Sequence, residues 1–429
     1  MKQRRVLAIA YYYPPYSGPG ATRASKMTKY LAHAGWQSTV LTVDQEDLPL
    51  GTDLEIPPSA VHRVRQMADV KSVARLFVRA RGVERQEQLV PGARTNSQLL
   101  WRLGLLYRNV VCFPDPQVGW LFPAAREGVR LARQLRPDII FSSSFPNTSH
   151  LVGAWVSFRT GIPWVAELRD PWTDNHNYRR MPVLRSVERV LERLVLGRAV
   201  ALVTVSERWA ETLKTRFAKP VSVVPNGYDP ADYPETVERG STFTLVYTGT
   251  YYNGKQDVGP LFGAVAALSR SGQITPETFR IRFVGHYLRA ITAQAESASV
   301  LPFVSVEPPV TYLESLKLQR GASALLLFDW GDPQEKGCYT AKIYEYIGAR
   351  RPILSIGPHD TVVADLLRTT SAGTVGQTIE EIRIVLEAWH EKHRTDSLHC
   401  DVDPVTLALY ERQTAANAMA DIFNHYAGS

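Results

Sequence analysis

Residues 6–44 read VLAIAYYYPPYSGPGATRASKMTKYLAHAGWQSTVLTVD. An apolar run over 6–12 gives way to a Pro/Gly-rich turn, then to a helical pattern over about 21–34, then to a second apolar run that ends before Asp44. Short apolar runs bounded by turn residues predict strands buried on both faces, and a helix between two of them predicts a parallel pair. The order recurs in the second half of the chain. Residues 242–247 are strand-like, TGTYYNGK (248–255) is the turn, 258–268 is helical, and FRIRFV (279–284) is the next strand, ending at Gly285.

Further short runs extend both halves. Residues 138–142, 163–168, 201–205 and 221–224 join the first; 303–306, 324–328 and 352–356 join the second, with helices near 312–319 and 341–349. PNGYDP (225–230) is a turn where one domain gives way to the next. The prediction is an α/β chain of two Rossmann-like, doubly wound domains facing across a cleft. They are residues 1–225 and 226–406, with a C-terminal helical pattern over 407–426 within a tail, 407–429, that crosses back onto the first domain. Ligands of such sheets bind outside the carboxyl ends of the strands.

Composition narrows the class. A chain of 429 residues exceeds what one hydrophobic core usually serves, and 45% hydrophobic with 21% charged residues is ordinary for a globular protein. Cys112, Cys338 and Cys400 lie far apart with no metal-ligand spacing, which argues against a disulfide framework or a zinc site and suits a reducing cytosol. The basic, apolar start MKQRRVLAIAYYYPP superficially resembles a secretion signal, yet no small-residue cleavage site follows and a buried first strand accounts for it. No eighteen apolar residues run together, so no membrane-spanning helix is expected.

The net charge of +7 is concentrated in one place. Residues 61–110 hold Arg63, Arg65, Lys71, Arg75, Arg79, Arg81, Arg85, Arg94, Arg102 and Arg108 against Asp69, Glu84 and Glu87, interleaved with Leu76, Phe77, Trp101 and several more leucines. The segment reads as basic amphipathic helices suited to an anionic membrane surface. Basic and aromatic residues together would also suit nucleic acid, and a solvated helical face packed on its domain is the plainer account.

Candidate site residues gather at predicted strand ends. In GCYTAKIYEYIGARRP (337–352), a loop carrying Gly337, Tyr339 and Thr340 feeds a short helix whose free N–H groups and positive dipole end suit an anion. Lys342 and Glu345, three apart on one face, could neutralise a diphosphate and hold two sugar hydroxyls, although such pairs are commonly solvated surface pairs. Lys255, after Gly249 in the turn of the second half, would face the same edge. Two cations there would stabilise a departing diphosphate without a metal, and no DxD pair is present: Asp329 and Asp332 are separated by Trp330 and Gly331. Ser17, Gly18 and Gly20 form half of a dinucleotide fingerprint, with Arg23 where the third glycine belongs and Asp44 as a ribose-type acid; this keeps an NAD-type oxidoreductase open. Glu167, Arg169 and Asp170 crowd the end of PWVAEL (163–168), where Asp170 could hold an acceptor hydroxyl or act as a base, or where the three could simply pair. His286 follows Gly285 at a strand end, and His150 follows FPNTS (145–149).

In this order along the chain, YYYPPYSGPGATRASKMTKYLAHAGWQSTVLT, PDIIFSSSFPNTSHLVGAW, GIPWVAELRDPW, PNGYDP, YTGTYYNGK and KGCYTAKIYEYIGARRPILSIG resemble the retaining GT-B glycosyltransferases of family 4, above all bacterial members that build exported polysaccharides. The likeness covers nearly the whole chain. It implies a nucleotide-sugar donor held mainly by the second domain, an acceptor held by the first, no resident cofactor or metal, and no nucleic acid partner. It implies that Glu345 holds the donor ribose, that Lys255 contacts donor phosphates, that the Gly18–Gly20 loop approaches the sugar and diphosphate, and that Gly285 and His286 border the base. The remaining donor residues are then Gly249, Thr250, Glu335, Tyr339, Thr340 and Lys342, with Ser17, Arg23, His150, Arg169 and Asp170 on the acceptor side and Asp170, Lys255, Lys342 and Glu345 as the catalytic set. Two departures stand out. The family's first signature glutamate falls at Gly337, with Glu335 two residues early, and the arginine commonly paired with the lysine is Thr250. The implied activity is retaining transfer to a glycan, lipid-linked or small acceptor in cell-surface polysaccharide synthesis, on the cytoplasmic side with peripheral attachment to the inner face of the plasma membrane. The remaining alternative is a non-catalytic basic protein, binding lipid or nucleic acid, on the same fold; turnover separates the two.

Overall fold

The computed structural model describes residues 3–44, 51–67, 112–175, 181–235, 237, 240–252, 254–286, 288–330 and 339–428. They fall into two compact units, Met1–Val224 with Ala416–Ser429, and Pro225–Ala415. The first unit is built on β1 (Arg4–Ala10), β2 (Trp36–Asp44), β3 (Val61–Arg65), β4 (Ile139–Ser144), β5 (Trp164–Leu168), β6 (Ala201–Thr204) and β7 (Val221–Val223), all parallel in the order β3-β2-β1-β4-β5-β6-β7. The second is built on β8 (Phe243–Thr250), β9 (Phe279–His286), β10 (Val304–Glu307), β11 (Ala324–Phe328), β12 (Ile353–Ile356) and β13 (Gly373–Gly376), parallel in the order β10-β9-β8-β11-β12-β13. In each sheet the winding reverses at the middle, between β1 and β4 and between β8 and β11, so the crossover loops part there and leave room at the carboxyl edge.

The central strands β4, β5, β11 and β12 are buried at every position, which requires helices on both sheet faces. The first unit supplies α1 (Pro19–His33), α2 (Leu121–Leu135), α3 (Thr148–Thr160), α4 (Pro182–Leu196) and α5 (Glu207–Phe217). The second supplies α6 (Gly259–Arg270), α7 (Arg289–Ser297), α8 (Tyr312–Gly321), α9 (Ala341–Ala349), α10 (Val362–Thr370), α11 (Ile379–Arg394) and α12 (Pro404–Ala408), and α13 (Arg412–Tyr426) closes the chain. Capping boxes of Thr311 with Glu314 and Thr378 with Glu381 fix the starts of α8 and α11.

Two expectations are corrected. The C-terminal helical pattern over 407–426 is two helices, because the Tyr228 amide donates to the Tyr410 carbonyl at 3.0 Å and the Arg412 amide to the Tyr228 carbonyl at 2.8 Å. Those backbone groups serve the PNGYDP turn and cannot also continue a helix. Past the break, α13 sets Phe423 against Trp36 and Phe141 of the first unit, at ring distances of 5.3 and 5.6 Å. The second correction concerns 61–65, taken above as part of a basic helix. VHRVR, whose two valines are three apart, instead pairs in parallel with β2 from Val61 to Arg65 and forms the edge strand β3, half-buried over its first four residues. The rest of that segment, 68–110, lies outside the described residues, so the membrane expectation for it has no structural counterpart here.

Candidate functional site

In the second unit, β8 and β9 end side by side with Gly249 opposite Gly285. A Cβ on Gly285 would stand 1.9 Å from the Gly249 carbonyl oxygen, so only glycine lets the strand ends close up. Gly249 takes φ +119°, and a Cβ there would lie 2.4 Å from Lys342 Cε. The missing side chain is therefore the space that the Lys342 side chain crosses. Its ammonium donates to Tyr247 Oη at 2.6 Å and to the Thr250 carbonyl at 3.3 Å, and it sits 4.2 Å from the centroid of the Tyr247 ring. Burial lowers the Lys342 pKa to about 7 even though Glu345 nearby works the other way.

Lys342 is the second residue of α9, which begins at Thr340 in extended backbone with no side-chain cap. Thr340 Oγ1 is buried without a hydrogen-bond partner. The first turn thus offers N–H groups, a hydroxyl and an ammonium together, which is chemistry for an anion. One turn along, Glu345 accepts from Gln319 Nε2 at 3.4 Å while Gln319 also donates to Thr248 Oγ1 at 3.0 Å. Burial pushes the Glu345 carboxyl up, against Gln319 and the charges of Arg412 and Lys342. Lys342 and Glu345 share a helical face yet form no direct ion pair: one faces the strand-end glycines, the other the α8 glutamine.

Lys255 is exposed and lies 4.4 Å over the Trp330 ring, which also packs on Tyr252. His286 is exposed at the end of β9, and its carbonyl receives the Tyr251 amide at 3.2 Å. Tyr339 is half-buried against Tyr344. Glu335 and Gly337 lie outside the described residues.

In the first unit, Gly18 caps α1 at φ +130°, with Pro19 opening the helix. A Cβ on Gly20 would stand 2.8 Å from Arg169 Nη1, so this glycine makes room for a guanidinium that is also tied to the Ser144 and Phe145 carbonyls. Asp170 is exposed just beyond β5, and Ser17 lies in the preceding loop. Arg23 and His150, both expected on the acceptor side, are interior residues. Arg23 is 2% exposed and pairs with Glu167 at 2.7 Å, because the third-glycine position of the loop faces the β5 carboxylate. His150 is fully buried, bonded through Nδ1 to Ser142 at 2.8 Å and packed near Trp164 and Trp172; desolvation lowers its pKa to about 3. It is a core histidine.

Sequence reasoning missed Tyr247 and Gln319. Period-two alternation along β8 places Tyr247 on the same face as Gly249, which was a usable signal; a buried glutamine at the end of an otherwise mixed helix was not.

Two doubly wound sheets in one chain, each with glycine turns at its carboxyl edge, define the GT-B class. Residues 18–227 match the family model described as "Glycosyl transferase 4-like domain". Sucrose-phosphate synthase from Thermosynechococcus elongatus is 12% identical with a TM-score of 0.62, over 99% of this chain and 100% of that one. HepE of Anabaena, solved with UDP, is 11% identical with a TM-score of 0.61, over 98% and 100%. WaaG, a glycosyltransferase involved in lipopolysaccharide biosynthesis, is 15% identical with a TM-score of 0.54, over 97% and 99%. At these identities the structures establish the fold. No curated protein matches the chain by sequence. Residues 18–227 thus correspond to a glycosyltransferase 4-like domain, and the chain as a whole has the GT-B fold. Among the described residues no helix is long and apolar enough to cross a membrane.

Gly249→Ala is expected to cost about 1–3 kcal/mol in backbone strain and to displace Lys342 from Tyr247. Urea melts and nucleotide titration together check this: the expected result is a modest loss of stability with at least about tenfold weaker binding of a nucleoside diphosphate, equivalent to about 1.4 kcal/mol.

Proposed function

We propose that the chain transfers a sugar, with retention and without a metal, from a nucleotide-diphosphate sugar held by the second unit to a hydroxyl of a glycan or lipid-linked acceptor held by the first. The observation that carries this reading is the Lys342 ammonium at the start of α9, threaded over Gly249 and held by Tyr247. An ammonium, a buried hydroxyl and free helix N–H groups there suit a diphosphate, whose charge grows as the sugar departs. Lys255 adds a second cation, and the leaving oxygen itself takes the acceptor proton on the front face of the sugar. Glu345 holds the ribose hydroxyls, Gly285 and His286 border the base, and Gly249, Thr250, Tyr339 and Thr340 complete the donor side. Gly18, Gly20, Ser17, Arg169 and the exposed Asp170 serve the sugar and acceptor. HepE has been solved with UDP and with UDP-glucose, which makes uridine donors the first to try. WaaG's place in lipopolysaccharide biosynthesis supports a cell-surface polysaccharide role.

The test is thermal shift against UDP-, GDP-, ADP- and TDP-sugars and the free nucleotides in chelator, followed by transfer assays. One nucleotide class should raise Tm progressively with concentration. Lys255→Ala and Glu345→Ala should each remove most transfer while leaving the melt intact. Proton NMR of the product should show the donor's anomeric configuration. Wild-type turnover in both variants, or an inverted product, would sink the assignment.

A further inference from the structure

Helix α4 is amphipathic the wrong way round. Its acids point inward: Glu188 and Glu192 are each 1% exposed, Glu188 accepting from Trp172 Nε1 at 3.0 Å and Glu192 from Arg216 Nη1 at 2.8 Å. A set of its apolar residues points outward, with Val187, Val190 and Leu194 at 51, 58 and 66% exposure, while Leu191, Val195 and Leu196 face the core. The spacing of three and four residues makes them one stripe on the helix surface.

The stripe does not stand alone. Helix α3 packs beside α4 and α2 beside α3, and these neighbours expose Trp155, Phe158 and Phe122. Leu194, Trp155, Phe158 and Phe122 line one open groove of about 1780 Å³. Arginines surround it: Arg126, Arg133, Arg159 and Arg198 are exposed in its lining, Arg189 and Arg193 are exposed on α4, and Glu127, already paired with Arg130, is the acid among the described lining residues. The guanidinium groups of Arg159 and Arg198 lie over the Trp155 and Phe158 rings at 5.6 and 4.6 Å, so cationic groups sit directly against the exposed aromatic surface.

An exposed apolar face of this extent marks an interaction surface, and its charge selects the partner. A second copy would bring the same arginines against these. Residues 68–111, which continue from Met67 at the groove, are themselves basic, so charge complementarity disfavours them as its occupant. An anionic bilayer offers both hydrocarbon for the stripe and phosphates for the arginines. We propose that the outer faces of α2, α3 and α4 form a docking surface for anionic phospholipid. It rests on the three helices rather than on the 61–110 segment, of which Arg63, Val64, Arg65 and Met67 border the same groove, and it is independent of the donor site.

Co-sedimentation of the full chain with vesicles tests this, comparing phosphatidylcholine alone with phosphatidylcholine containing roughly one third phosphatidylglycerol. Binding should require the anionic lipid and weaken with salt. Val187→Ser with Val190→Ser and Leu194→Ser, all at exposed positions, should lower partitioning about tenfold without changing the melt or the nucleotide-induced thermal shift. Phe122→Ser with Trp155→Ser, on the neighbouring helices, should do the same, and Arg189→Glu with Arg193→Glu should remove most of the salt dependence. Absence of binding to anionic vesicles, or equal binding by all variants, overturns the proposal. So does sedimentation velocity showing a self-associated chain that the serine variant makes monomeric, or an RNA oligonucleotide that binds through the same arginines in place of lipid.

Discussion

Glu167→Leu is expected to destabilise the first unit by about 3–5 kcal/mol, the cost of leaving a buried charge without its partner. Arg23 and Glu167 are 2% and 1% exposed and meet at 2.7 Å, with Arg23 Nε also bonded to the carboxylate at 3.0 Å and Nη2 to the Val224 carbonyl at 2.9 Å. Ser143 Oγ fills a further lone pair at 2.6 Å. Removing the carboxylate strands the guanidinium, which cannot deprotonate. Arg23→Met combined with Glu167→Leu should recover much of the loss, since two apolar residues desolvate nothing charged. Seven of the nine tryptophans, Trp36, Trp101, Trp120, Trp155, Trp164, Trp172 and Trp209, fall within the residues of the first unit, so fluorescence-detected urea unfolding reports mainly on it. The pH dependence gives a second reading. Burial alone would raise the Glu167 carboxyl, but the Arg23 charge and its hydrogen bonds hold it below the ordinary 4.5. A depressed carboxyl contributes stability that is complete above 4.5 and lost as pH falls through the lower folded value. The gap between wild type and Glu167→Leu should therefore narrow in acid. A variant as stable as wild type at neutral pH would show that water, and not protein, solvates Arg23.

That pair also shows what a sequence conceals. The repeated strand–turn–helix–strand pattern at 6–44 and 242–285 was legible because the central strands are buried on both faces and carry unbroken apolar runs between Gly/Pro turns. Edge strands are not: β3 is VHRVR and β13 is GTVG, and neither carries an apolar run. At the site, spacing placed Lys342 and Glu345 on one helical face but could not say what either touches. Tyr247 lies 95 residues from Lys342, and Glu167 lies 144 from Arg23. Arg23 occupied a motif position and was read as facing a ligand; topology turned it onto β5 instead. The outward stripe of α4 was hidden for the opposite reason, because apolar residues at helical spacing ordinarily mean core, and only the placement of Glu188 and Glu192 reveals which side is inside.

Lys342 carries the largest expected effect on activity. Lys342→Ala should lower kcat/KM about 10²–10³-fold, the loss typical of one charge-stabilising donor aimed at a developing anion, with the fold retained. The lysine is costly to the empty protein. Its pKa is about 7 when folded against an ordinary 10.5, so between those values the unfolded chain holds a proton that the folded chain lacks, and stability rises with pH across that window. Lys342→Met, which removes the penalty, should be more stable than wild type below pH 7, with the advantage fading towards pH 10.5. A diphosphate reverses the preference, because the bound anion favours the charged amine. Nucleotide affinity should accordingly decline as pH rises past about 7, and calorimetry at pH 8 in buffers of different ionisation enthalpy should show uptake of up to about one proton per nucleotide bound. Lys342→Arg, charged throughout, should bind without proton uptake and lose the alkaline decline. Wild-type binding with no proton uptake at pH 8 would mean that the amine does not meet the diphosphate, and the anion would then have to rest on Lys255 and the α9 N–H groups alone.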